Sequence, residues 1–326
     1  MIKIAILGAA SIAKRSIAHN LVPEHGFDLV KVGFRPTSDG GSLDRARVLA
    51  EPYGAEVVPV TEVLEGIDAL YIPYPPSLHK EWLVQAIEAG IHVWCEKPLT
   101  TSHADTIEVI ETARRRGVVV FENYMFLQHN QHVLAKGLSQ EIGDVRLFRA
   151  AFAFPPFSDT GNFRYSEELG GGALLDCAGY PIRAAMSWLG DDLRVVSASL
   201  TGGNAPHTRG VDIYGSATLE SSKGVIAQIH FGFDNSYECM YAVHGSSGIL
   251  SVPKAYTPRP GDRPIVRVEG GGKINDYHAD PQDHFLDSQR LFRRLISGDT
   301  SALEASYSGT INAARIQQEI REIAIR

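Results

Sequence analysis

The chain has 326 residues, 44% of them hydrophobic, which is more than one typical domain and ample material for a real core. Acidic side chains outnumber basic ones by 38 to 31, the formal charge is −7, and no basic block is present, so nucleic acid and anionic membrane are excluded as expected partners. Cys95, Cys177 and Cys239 are isolated, odd in number and outside any metal-ligand spacing, which argues against a disulfide framework or a structural zinc. With no charged leader and no apolar run long enough to cross a bilayer, the expectation is a soluble, cytoplasmic protein.

The first third alternates short apolar runs with helical patterns. Strand-like segments fall at 2–7, 29–34, 69–73, 91–94 and 118–121, and helical spacing at 12–21, 43–53, 80–89 and 104–116. Arg114, Arg115 and Arg116 close the last of these helices just before Gly117, where cations suit the helix dipole. This rhythm predicts a parallel, doubly wound α/β sheet of the Rossmann type over 1–122. From about residue 145 strands follow one another, at 145–154, 195–201, 212–220, 224–234, 240–244 and 265–268, with Gly and Pro clusters between them. Helices are expected at 180–189, 283–297 and 303–324. The segment 123–326 therefore reads as an α+β domain built on a large, mostly antiparallel open sheet. A polar-alternating face on such a sheet suggests self-association, as a homodimer or homotetramer.

The first predicted strand runs into Gly8-Ala9-Ala10-Ser11-Ile12-Ala13. A tight turn at this point delivers backbone N–H groups and a helix N-terminus to a pyrophosphate. Gly8 suits the turn and Ala13 the close helix–strand packing, while Ala10 replaces the second glycine of the usual pattern; Gly8, Ala10, Ser11, Ile12 and Ala13 form the expected cofactor turn. After the second strand the chain reads Phe34-Arg35-Pro36-Thr37-Ser38, with no acid to bind a ribose 2′-hydroxyl. Arg35 with Ser38 instead suits a 2′-phosphate, so NADP(H) is expected in preference to NAD(H). Tyr74, Pro75 and His79 follow another strand end, where ligands gather in open α/β sheets.

Cys95-Glu96-Lys97-Pro98-Leu99 ends a strand of the same unit, and a lysine framed by glutamate and proline is not ordinary strand filler. Later comes Gly170-Gly171-Gly172-Ala173-Leu174-Leu175-Asp176-Cys177-Ala178-Gly179-Tyr180. Together with the Gly8 turn and the order of the two domains, these runs resemble the Gfo/Idh/MocA family of oxidoreductases. Within it, the 123–132 run (Asn123-Tyr124-Met125-Phe126-Leu127-Gln128-His129-Asn130-Gln131-His132) and the 170–185 run are similar to NDP-hexose 3-ketoreductases. The glycine run also resembles dimeric dihydrodiol dehydrogenases, which share a tyrosine at position 180.

The resemblance implies NADPH-dependent reduction of a keto group on a nucleotide-linked deoxyhexose. Tyr180 is the expected proton donor, and Lys97 the cation that lowers its pKa and steadies the developing alkoxide. Glu96 and Asn123 join the cofactor-binding set, with Glu96 orienting Lys97 or contacting the nicotinamide ribose, and Pro98 is a candidate cis proline. Asp176, Arg164, Tyr165 and His129 are the expected substrate-binding residues. His129 and His132 lack the carboxylate or cysteine spacing of a metal site, and no metal is expected. A dehydrogenase of a free sugar, cyclitol or trans-dihydrodiol is the alternative within the same chemistry. A non-catalytic, dinucleotide-sensing regulator is the alternative outside it.

Overall fold

The computed structural model describes residues 1–37, 40–203, 205–208 and 210–324. The chain divides into two compact units, Met1–Asn123 with Phe285–Tyr307, and Tyr124–His284 with Ser308–Arg326.

In the first unit six strands, β1 (Ile2–Ile6), β2 (Phe27–Phe34), β3 (Glu56–Pro59), β4 (Ala69–Ile72), β5 (His92–Cys95) and β6 (Val120–Glu122), pair in the order β3-β2-β1-β4-β5-β6. Every pairing is parallel, as required when helices form the crossovers. These are α1 (Gly41–Ala50), α2 (His79–Glu88) and α3 (His103–Arg116). The Ser102 hydroxyl caps α3 by accepting from the Asp105 N–H at 3.1 Å, and Gly117 ends it in the left-handed region just after the three arginines. β4 is buried at all four positions, as a central strand covered on both faces must be. Strand order reverses direction between β1 and β4, so the crevice that receives ligands in such sheets opens at their carboxyl ends.

Two local expectations differ. The segment 12–21 is not one regular helix: it contains a π-helical turn, Ala13–Ile17, closed by an Ala18 N–H to Ala13 carbonyl bond, then a 3-10 turn, Ala18–Asn20. It opens at Ile12 without a side-chain cap. β3 was not expected; it is a short edge strand whose alternation is broken by Pro59.

The second unit carries α4 (Asn130–Gly137), then β7 (Val145–Ala153), α5 (Ala173–Asp176) and α6 (Gly179–Leu189). Seven more strands follow: β8 (Arg194–Gly202), β9 (Asp212–Glu220), β10 (Ile226–Gly232), β11 (Glu238–Gly245), β12 (Gly248–Val252), β13 (Ile265–Gly270) and β14 (Lys273–His278). They pair as β14-β13-β12-β11-β7-β10-β9-β8, antiparallel except for β10 with β7. This is the large, mostly antiparallel sheet read from the sequence. α6 packs on β7 and β10. The opposite face presents Ser197, Ser199, Ser216, Thr218, Gln228 and His230 around a shallow depression. β12 and β14 were missed. The first follows β11 after only a two-residue turn, and the second, KINDYH, is an almost wholly exposed edge strand without an apolar face.

The last two helices are α7 (His284–Ile296) and α8 (Thr300–Ala324). A boundary at 122/123 places both in the second domain, but 285–307 clusters with the first unit. The reason is aromatic packing. Phe292 of α7 is fully buried, with its ring 6.5 Å from Phe27, 5.9 Å from Trp94 and 6.1 Å from Phe121. The Tyr307 hydroxyl then accepts from the Val120 N–H at 3.2 Å. α8 begins in the first unit and ends in the second.

Candidate active site

In the first unit, β1 turns at Gly8, whose φ of +85° suits glycine. A side chain there would be strained and would have to displace Tyr74, since a Cβ would lie 2.7 Å from its Cε1. The two sides of the β1/β4 switch point thus touch through glycine and tyrosine. Beyond the turn Ala10 and Ile12 are partly exposed and Ser11 is exposed, whereas Ala13 is sealed in the core. The Arg35 guanidinium lies 5.4 Å from the Tyr74 ring centroid, a cation–π distance, and its backbone N–H donates to the Ser42 hydroxyl at 3.1 Å. Ser38 lies outside the described residues. Pro75 is half-buried beside Tyr74.

The lysine segment is fastened at several points. The Glu96 N–H donates to the Ile72 carbonyl at 3.0 Å and the Leu99 N–H to Oε1 of Glu122 at 2.8 Å, and the Lys97–Pro98 peptide is cis. Oε1 of Glu96 accepts from the Tyr71 hydroxyl at 2.8 Å and from Nδ2 of Asn123 at 2.7 Å. Oδ1 of Asn123, itself fully buried, accepts from the Ser288 hydroxyl at 2.7 Å. Burial pushes the Glu96 carboxyl pKa up, and those two bonds with the nearby Lys97 ammonium pull against the rise. A partly buried carboxylate held this way has its orientation set before any ligand arrives.

Sequence reasoning missed Tyr71, Glu122 and Ser288. Tyr71 left a signal, being the only residue with a polar side chain in an otherwise apolar, fully buried strand, where its hydroxyl needs a partner. Ser288 left none, because it arrives from α7, 165 residues after Asn123.

His79 was expected among the cofactor-binding side chains. It is completely buried at the start of α2, with Nε2 2.7 Å from the Tyr74 carbonyl and Nδ1 2.9 Å from the Pro98 carbonyl. Burial lowers its pKa, the carbonyls of Tyr74, Pro98 and Leu99 oppose that, and the Lys97 charge adds to it.

In the second unit Tyr180 lies at the start of α6, 7% exposed, inside an aromatic cluster. Its ring centroid is 4.5 Å from Phe152, 5.4 Å from Tyr124 and 5.6 Å from both Phe126 and Tyr256. Gly179 makes this possible: a Cβ there would fall 1.7 Å from the Tyr124 hydroxyl oxygen. The glycine before Tyr180 therefore admits the neighbouring ring that helps hold it.

The four expected substrate residues are largely committed to one another and to the scaffold. Nε of Arg164 donates to Oδ2 of Asp176 at 2.6 Å, and the guanidinium lies 4.9 Å from the Phe157 ring and 4.6 Å from Phe163. Burial works against the Arg164 charge, but Asp176, with Cys177 and Tyr180, outweighs it and the pKa is raised. The Tyr165 hydroxyl accepts from the Phe157 N–H at 2.9 Å. Nδ1 of His129 accepts from the Gln131 N–H at 3.2 Å and caps α4. Of the four, Arg164 keeps the most surface, with 26% of its side chain exposed against 10% for Asp176. Asp212 was not foreseen: its Oδ2 accepts from the Leu174 N–H at 2.6 Å, anchoring the glycine run as it enters α5.

Comparison with known proteins matches residues 2–124 to a model described as an oxidoreductase family, NAD-binding Rossmann fold, and residues 132–251 to the GFO/IDH/MocA C-terminal domain. A dTDP-3,4-didehydro-2,6-dideoxy-alpha-D-glucose 3-reductase of Saccharopolyspora spinosa is 36% identical, over 97% of this chain and 94% of that protein. The chain belongs to the GFO/IDH/MocA family of oxidoreductases. Among solved structures, KijD10, a 3-ketoreductase from Actinomadura kijaniata in complex with NADP and TDP-benzene, superposes with a TM-score of 0.90 at 33% identity, covering 99% of this chain and 97% of that one. A tyrosine-to-phenylalanine mutant of the same enzyme, with the same ligands, also gives 0.90 at 33% identity and the same coverage. Among the described residues no helix is long and apolar enough to cross a membrane.

Proposed function

We propose that this chain is an NADP(H)-dependent reductase of a keto group on a nucleotide-linked deoxyhexose. What carries the reading is the combination of the fastened 96–99 loop bearing Lys97 with the ring-enclosed Tyr180, in a chain related over nearly its full length to dTDP-sugar 3-reductases. The first unit suits a dinucleotide: a left-handed turn at Gly8, a partly open run at Ala10–Ile12 and an exposed arginine after β2 with no acid beside it. Gly8, Ala10, Ser11 and Ile12 would hold the pyrophosphate, with Ala13 packing the turn against the sheet. Arg35 with Ser38 would take the 2′-phosphate, Tyr74 and Pro75 would line the site, and Glu96 and Asn123 would face the nicotinamide ribose. When bound, the reduced nicotinamide supplies the hydride.

Tyr180 donates its phenolic proton to the carbonyl oxygen as negative charge builds there, and Lys97 stabilises that charge and the tyrosinate left behind. The aromatic rings packed around Tyr180 shield its side chain from water. Arg164, locked by Asp176, is assigned to the anionic part of the substrate, while Tyr165 and His129 support the loops that carry it. Replacing Tyr180 by Phe and, separately, Lys97 by Ala should each lower kcat at least tens-fold, given the usual worth of a positioned proton donor. NADPH binding by the Tyr180→Phe protein should remain near the parent's. A parent-like kcat for Tyr180→Phe would remove it as the donor.

The polar face of the second sheet is assigned to self-association, as a homodimer or homotetramer. Placing a charge there with Ser199→Arg should reduce the species seen by light scattering to a monomer. A monomeric parent would overturn this assignment and leave the chemistry untouched.

A further inference from the structure

Two backbone segments border the first unit's crevice. One carries Tyr74, whose ring covers the Gly8 turn and lies beside Arg35; the other carries Lys97. A single side chain touches the backbone of both, since Nε2 of His79 meets the Tyr74 carbonyl and Nδ1 the Pro98 carbonyl, at 2.7 and 2.9 Å. We propose that His79 is a positioning residue that sets the 96–99 loop, and with it Lys97, against the Tyr74 segment, and that it does not bind the cofactor.

Three observations support this. His79 is fully buried, so neither ring nitrogen is presented to a ligand. Both nitrogens face backbone carbonyls, which accept and cannot donate, so the ring acts here only as a donor. The imidazolium satisfies both carbonyls, whereas the neutral ring holds one and turns a lone pair toward the other. The loop's other tethers run to Tyr71 and Ile72 of β4, to Glu122 of β6 and to Asn123, and His79 adds the bridge from Pro98 to the segment that follows β4.

The consequence for turnover rests on the function proposed above, so the test has an arm that does not. His79→Phe keeps ring shape and removes both ring nitrogens; His79→Gln keeps a donor for one carbonyl. Amide hydrogen exchange should accelerate about ten-fold or more in peptides spanning 73–78 and 96–100 of the Phe protein, with the rest of the first unit unchanged and the Gln protein intermediate. With substrate, kcat should fall about ten-fold at a near-constant KM, because small misplacements of a catalytic group cost that much or more. Introduced into a Lys97→Ala background, the same change should lower kcat no further, as expected of a residue acting through Lys97.

Unchanged exchange in the two segments, or acceleration spread evenly over the unit, overturns the proposal. So does an effect on kcat that simply multiplies with that of Lys97→Ala. If the Phe protein does not fold, the Gln protein carries the same comparison. If the parent reduces no ketosugar, the function is wrong, and the exchange measurement still decides the role of His79.

Discussion

Arg35 shows how much one side chain is asked to do. It follows β2, where the sequence places no acid at the strand end, and it leans on the Tyr74 ring that covers the Gly8 turn. A guanidinium there matches a 2′-phosphate by geometry and charge, and it offers nothing comparable to a 2′-hydroxyl. Arg35→Ala should therefore raise the KM for NADPH about ten-fold or more and leave that for NADH nearly unchanged, as steady-state kinetics with both cofactors would show. Equal effects on the two would place the phosphate elsewhere. At this scale the sequence was most legible in the backbone, as with Pro98, the candidate cis proline, whose peptide bond with Lys97 is cis. It was least legible where a familiar residue type is used as scaffold: Asp176 pairs with Arg164, and His79 and His129 hydrogen-bond to backbone. Nothing in one-dimensional order distinguishes a histidine aimed at a ligand from one aimed at a carbonyl.

Among the elements, α7 departs most from what chain order suggests. It follows the second sheet, yet its apolar face completes the first unit's core through Phe292, and its Ser288 ends the bond chain to Glu96. Periodicity identified the helix because an amphipathic stripe is a local property. Its destination was hidden because Phe292 meets Phe27, Trp94 and Phe121, partners 171 or more positions away in sequence. Phe292→Ala should cost about 3–5 kcal/mol of stability through the cavity it leaves among these rings, measured by denaturant unfolding. A loss below about 1 kcal/mol would mean the return of the chain matters little to the core. β14 makes the complementary point: an exposed edge strand has no apolar alternation, so pattern reading passed over it.

For the whole molecule, acid is the revealing condition. Burial, reinforced by the nearby His129, pushes the His132 pKa down from 6.5 to about 3. The unfolded chain takes up a proton there that the folded chain refuses. This contribution to stability is thus present above about pH 6.5 and is lost as pH falls toward about 3. The loss should be on the order of a few kcal/mol, and His132→Gln should flatten it in urea titrations across that window. A wild-type stability that stays level from pH 7 to pH 4 would contradict the assignment. The two-unit architecture itself was readable, since βα alternation and an uninterrupted run of strands are long-range patterns that survive local errors.

The central claim is the class of substrate. Purified protein should be offered NADPH with a dTDP-linked 3-ketodeoxyhexose, a free ketosugar, a cyclitol ketone and a trans-dihydrodiol with NADP, following absorbance of the reduced cofactor. Rapid oxidation of NADPH with the nucleotide-linked ketone, and turnover at least a hundred-fold lower with the others, is the predicted result; on the order of 3 kcal/mol of transition-state binding from the nucleotide would suffice. Turnover confined to a free sugar, cyclitol or dihydrodiol, or cofactor binding with no turnover at all, would contradict it.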